Sequence, residues 1–116
     1  MAEGTASEPI IFTTTADQIT NTHSNYPGFA NLDESYKGYW GVVIILGNAE
    51  ISADAAEKQI EGIPASDSNG LYGGSDNNDN SGIIRYIQIR HGGTLLGDDN
   101  EINGLTLGGV GSETIV

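Results

Sequence analysis

Three groups of residues have the types and spacings from which chemistry is built. The run Asp76-Asn77-Asn78-Asp79-Asn80-Ser81-Gly82 offers side-chain oxygens at alternate positions, on Asp76, Asn78 and Asn80. Calcium takes oxygen ligands in such alternation. An EF-hand is excluded, because glycine stands at the seventh place of the run rather than the sixth, and Ile87 occupies the twelfth. A looser calcium site, aided by Asp98, Asp99 or Glu101, stays open. Its alternative is an Asn/Asp-rich corner whose side chains satisfy their own turn backbones. The second group is His91 beside Arg90. An imidazole can act as a base or a metal ligand, yet Gly92-Gly93 directly after it reads as a structural corner. His23 stands far away in the chain, so no zinc site can be assembled. The third group is aromatic: Tyr26, Phe29 and Tyr36, with Trp40, could stack on sugar rings or lie down on an apolar surface. No catalytic constellation emerges. The acids concentrate in turns, and Asp98-Asp99 are chain neighbours rather than carboxylates facing each other across a substrate.

Composition narrows the classes that remain. A chain of 116 residues is a single domain at most. With 37% hydrophobic residues and 17 glycines, many turns must join short strands. The net charge of −12 excludes a nucleic-acid partner, because phosphate binding needs Lys and Arg to displace counterions. Without cysteine there are no disulfides or thiolate metal sites. The longest apolar run, Val42 to Leu46, is too short to enter a membrane as a span. The first residues, Met-Ala-Glu-Gly-Thr-Ala-Ser-Glu-Pro, have neither the basic nor the apolar part of a signal peptide.

The elements that must position these groups are short strands. Pro9 to Thr15 reads as one, since β-branched and aromatic residues follow a proline that can open a strand but not sit inside it. Tyr39 to Leu46 is the strongest, with apolar residues on both faces, which marks a parallel sheet. Gly82 to His91 reads as two short strands around a corner. Glu101 to Leu107 follows the acidic turn at 94–100, and Thr114 to Val116 begins another strand. Ala53 to Gln59, with Ser52 as N-cap, is the one helical turn the pattern supports. Residues 16–38 and 53–81 are long excursions. Asn-Gly hairpin signals are nearly absent between strands, which favours coils of parallel strands over an antiparallel meander.

A resemblance points the same way. It runs in order through Gly4-Thr5-Ala6, Pro9-Ile10-Ile11-Phe12-Thr13, Trp40-Gly41 and Ile44-Ile45-Leu46-Gly47-Asn48-Ala49. It continues through Ile60-Glu61-Gly62, Tyr72-Gly73-Gly74, Asp79-Asn80-Ser81-Gly82, Ile89-Arg90-His91-Gly92-Gly93 and Asn100 to Gly111. The chain resembles the right-handed parallel β-helix domains of bacterial secreted, lipoprotein and cell-surface proteins. The resemblance implies an all-β, right-handed parallel β-helix (solenoid) of about four coils, with the two excursions and at most one short helix. It implies an extracellular or cell-surface setting and a single domain over residues 1–116, a fragment or short version of a longer solenoid. The expected role is a non-enzymatic structural or adhesive module that forms homo-oligomers through terminal rungs or the Trp40–Leu46 strand. The alternatives are a carbohydrate-binding module and a calcium-dependent polysaccharide lyase or hydrolase. No cofactor is expected, calcium excepted. Gly82 to His91 is expected as an interior rung, with 39–46 and 101–107 beside it.

Overall fold

A computed structural model describes residues 1–17, 32–94 and 103–116. The described part is all-β, apart from one three-residue 3-10 turn. The strands are β1 (Ala2–Glu3), β2 (Ile10–Phe12), β3 (Val43–Leu46), β4 (Lys58–Gln59), β5 (Leu71–Tyr72), β6 (Ile84–Arg85), β7 (Ile87–Ile89) and β8 (Leu105–Gly108). Three parallel pairs organise them: β1 with β6, β2 with β7 and β3 with β8. The chain therefore visits three positions in order, then visits the same three again one strand spacing away. A parallel bridge from Ile83 to Ile115 opens a third visit. Parallel partners need a long connection between them, and the excursions supply it.

Local chemistry explains each piece. β2 follows Pro9, and its amides enter the ladder at once, with the Ile10 N–H donating to the Tyr86 carbonyl at 2.9 Å. The corner expected within 82–91 lies at Tyr86, whose φ of +48° turns the chain between β6 and β7. β3 and β8 run in register from Val43 opposite Leu105 to Leu46 opposite Gly108. Every residue of β3 is half-buried, as a strand with apolar residues on both faces requires.

Two expectations need correcting. Residues 53–59 hold no helix; 52–56 form a series of bends, and Lys58–Gln59 is a strand. A single turn cannot nucleate alone, and here the backbone of β4 pairs with β5 instead. That pair is antiparallel, Lys58 opposite Tyr72 and Gln59 opposite Leu71, so the second excursion contains its own hairpin. The Gln59 amide closes the hairpin loop, donating towards the carbonyls of Ile63, Pro64 and Asp67. The neighbours of 82–91 also differ. Its strands pair with β1 and β2, whereas β3 and β8 pair with each other. Of the 39–46 region, 39–41 reach its far end, through the Tyr39 amide on the His91 carbonyl at 2.9 Å and the Gly93 amide on the Gly41 carbonyl at 3.1 Å. Among the described residues the strand pairs make two passes and the start of a third.

The interior is thinly covered. Among the described residues only Ala49 and Ile84 are buried hydrophobics, and no large apolar side chain is completely enclosed. The accessible surface is 7656 Å², against about 6,000 Å² for a compact monomer of this mass. The aliphatics of β2, β3 and β7 are half-buried, and among the described residues each of these strands has one ladder neighbour.

Candidate functional site

Side-chain chemistry gathers at three places. The first is the Asn/Asp-rich corner. Asp76 accepts from the Asn78 amide at 3.1 Å, and Asn80 accepts from the Gly82 amide at 3.0 Å. Asn78 takes the Ser112 hydroxyl at 3.3 Å. Asn77 takes the Glu50 amide at 2.9 Å and so ties this corner to the chain after β3. Asp79 accepts from the Ser81 hydroxyl, which is the main cause holding its carboxyl below the usual range; burial opposes this. These oxygens serve the turn backbones. Among the described residues no group of three acidic or histidine side chains is placed to hold a metal. Asp98, Asp99 and Glu101, expected to aid a calcium site, lie outside the described residues.

The second place is a shallow groove of about 600 Å³ between the β4–β5 hairpin and the end of β8. Glu50, Lys58, Tyr72, Leu107 and Val110 line it. Lys58 and Tyr72 are register partners, so the hairpin itself brings them together. The Tyr72 ring lies against Gly108, where a β-carbon would come within 2.8 Å of the ring. Glycine at 108 is thus what lets the ring settle. None of the sequence expectations singled out this groove. The strand-pairing of 58–59 with 71–72 creates it, and neither stretch carries a clear strand signal.

The third place is the far end of β7. His91 takes a left-handed backbone, φ +57°. Its Nδ1 lies 2.7 Å from the Tyr36 carbonyl oxygen. Its Nε2 lies 3.7 Å from Oδ2 of Asp17. The His91 side chain is 6% exposed and that of Asp17 is fully covered. Thr13 donates its hydroxyl to the same Asp17 oxygen at 2.8 Å. Asp17 Oδ1 and His91 Nε2 are buried without a hydrogen bond. The sequence singled out His91 but not Asp17, which reads as one more acid in a long loop.

The remaining candidates separate. Tyr36 is exposed and meets Tyr39 edge to face, with centroids 5.9 Å apart. Tyr26 and Phe29 lie outside the described residues. Trp40 is half-buried, and its indole N–H donates to the Arg90 carbonyl at 2.6 Å, so its polar edge is engaged. Arg85 pairs with Glu3 at 3.5 Å on the surface, and the Arg90 guanidinium is held by Gln88. No described helix is long and apolar enough to cross a membrane.

No curated protein and no solved structure matches the chain. A family profile does, over residues 1–116: that of the pectate-lyase-like beta helix domain. Its coverage of the whole chain agrees with the parallel pairing of β1–β3 with β6–β8. The chain belongs to the pectate-lyase-like β-helix domain family.

Proposed function

We propose that this chain is a non-enzymatic structural module of an extracellular or cell-surface bacterial protein, and that copies of it associate through their open strand edges. The observation that carries this reading is the half-buried interior. Ile10, Ile11, Phe12 and Val43 to Leu46 have a ladder neighbour on one side and partial cover on the other. Unpaired strand edges beside apolar side chains are templates for another strand. Addition of a second copy would continue the strand spacing of about 4.8 Å. Leu107 of β8 and Tyr86 at the β6–β7 corner are exposed. Light scattering over a dilution series tests the reading. The expected result is a mass that falls on dilution and is held at the monomer value by Leu107→Lys, which puts a charge on an edge strand. A monomer at every concentration removes it.

The groove supports a second reading, a carbohydrate-binding module. Lys58, Glu50 and the Tyr72 ring combine a cation, an acceptor and an apolar plane in one shallow trough, which is the mixture a sugar uses. Affinity electrophoresis in gels cast with neutral and acidic polysaccharides decides it. Retardation abolished by Lys58→Ala supports the module, and equal mobility in all gels removes it.

A further inference from the structure

We infer that Asp17 and His91 share a proton that latches together the stretches of chain leading into and out of residues 18–31. Three segments meet at one imidazole. Asp17 follows β2, Tyr36 precedes β3, and His91 itself closes β7. The argument is a count of protons. A carbonyl oxygen can only accept, so Nδ1, at 2.7 Å from the Tyr36 oxygen, must carry a hydrogen. A neutral ring then has a bare Nε2, facing a carboxylate oxygen 3.7 Å away. Two lone pairs would oppose each other in a place from which water is excluded. The other tautomer satisfies Asp17 and leaves Nδ1 opposed to the carbonyl. A neutral imidazole can serve one of its two acceptors, whereas a second proton on the pair serves both.

No other described group supplies the missing donor. The Thr13 hydroxyl is already given to Asp17 Oδ2. From the 32–38 stretch, Asp33 adds a second carboxylate that interacts electrostatically with His91. The neighbouring Arg90 is directed to Gln88. The Tyr36 carbonyl and the Asp17 carboxylate thus face the two ring nitrogens, and both are acceptors. The orphaned Asp17 Oδ1 and His91 Nε2 are the atoms that close up when the proton is bound. Imidazoles gain their second proton between about pH 8 and pH 5. With the second proton bound the latch is closed, and without it the latch is open.

Two measurements on the intact chain test it: nitrogen-15 NMR of the imidazoles and amide hydrogen exchange. With the ring neutral at about pH 8, the His91 signal is expected to be that of the Nδ1–H tautomer, the less common form for a free imidazole. The Asp17 amide, bonded to the Thr14 carbonyl at 3.0 Å, is expected to exchange about tenfold faster at about pH 8 than at about pH 5.5, after correction for the intrinsic pH dependence. Asp17→Asn offers a neutral amide donor to the bare Nε2 and is expected to abolish this pH dependence. His23→Gln separates the second histidine of the chain and is expected to leave it unchanged. An Nε2–H tautomer at pH 8, or Asp17 exchange that is the same at both pH values, overturns the proposal. If Asp17→Asn does not fold, the tautomer and exchange of the unmodified chain still decide it.

Discussion

Two corners of this molecule solve the same problem with different physics. Where β3 and β8 end, the chain is turned by backbone approach. The Gly47 amide donates to the Gly108 carbonyl at 2.9 Å, the Ala49 amide to Gly109 at 2.7 Å, and the Gly73 amide to Gly47 at 2.9 Å. Gly111 lies so close to the backbone of Asp79 that a β-carbon would collide with it. Where β7 ends, the turn is made by His91, a residue with a bulky side chain in a left-handed conformation, whose ring lies between the Tyr36 carbonyl and the Asp17 carboxylate. The backbone bonds of the first corner are neutral, and pH reaches it through the Asp79 carboxyl beside them. The second joins distant segments through one ring and inherits its proton balance. A glycine corner is fixed once folded, while a histidine corner can respond.

The comparison breaks most sharply at the glycine corner. Gly111→Val drives a side chain into the Asp79 backbone and is expected to cost about 3 kcal/mol, read as a lower urea midpoint. Gly41→Ala is the control: nothing lies within 4 Å of its β-carbon position, and its cost should stay within about 0.5 kcal/mol. A smaller effect tests the side-chain bond beside the histidine corner. Trp40→Phe keeps the ring and loses the N–H to the Arg90 carbonyl, for an expected loss of about 1 kcal/mol. Acid should act weakly on the glycine corner. The Asp79 carboxyl is held low by Ser81, so its folded form binds protons less readily than the unfolded chain. Its contribution is present above the carboxylate range and is lost as pH falls through and below about 4. Asp79→Asn should flatten that part of the pH–stability curve, as followed by circular dichroism. Calcium is expected to do least. With the oxygens of Asp76 and Asn80 already accepting turn amides, millimolar calcium should leave the melting temperature unchanged.

What the sequence made legible follows from which interactions are local. Pro9 before Ile10-Ile11-Phe12, and the aliphatics around Arg85-Tyr86, mark strands and a corner because the residues near them in sequence determine both. Register between strands is another matter. Ile-rich segments are interchangeable as ladder partners, and nothing in 82–91 specifies β1 and β2 rather than β3 and β8 as its neighbours. The β4–β5 hairpin was illegible for a related reason. Lys58-Gln59 and Leu71-Tyr72 are too short for a period to register, and the Gln59 amide that gathers three carbonyls has no sequence signature. Asp17 was invisible because its importance depends on a histidine 74 positions later.

The thin interior has a calorimetric consequence. Unfolding a chain with Ala49 and Ile84 as its only buried hydrophobics, among the residues described, exposes little new apolar surface. Both the heat-capacity increment and the denaturant slope scale with that exposure. A single copy should therefore unfold over a broad range of temperature and urea, with a flat stability curve. Any condition that stacks one copy on another should steepen both, so the breadth of the transition reports how completely the strand edges are covered.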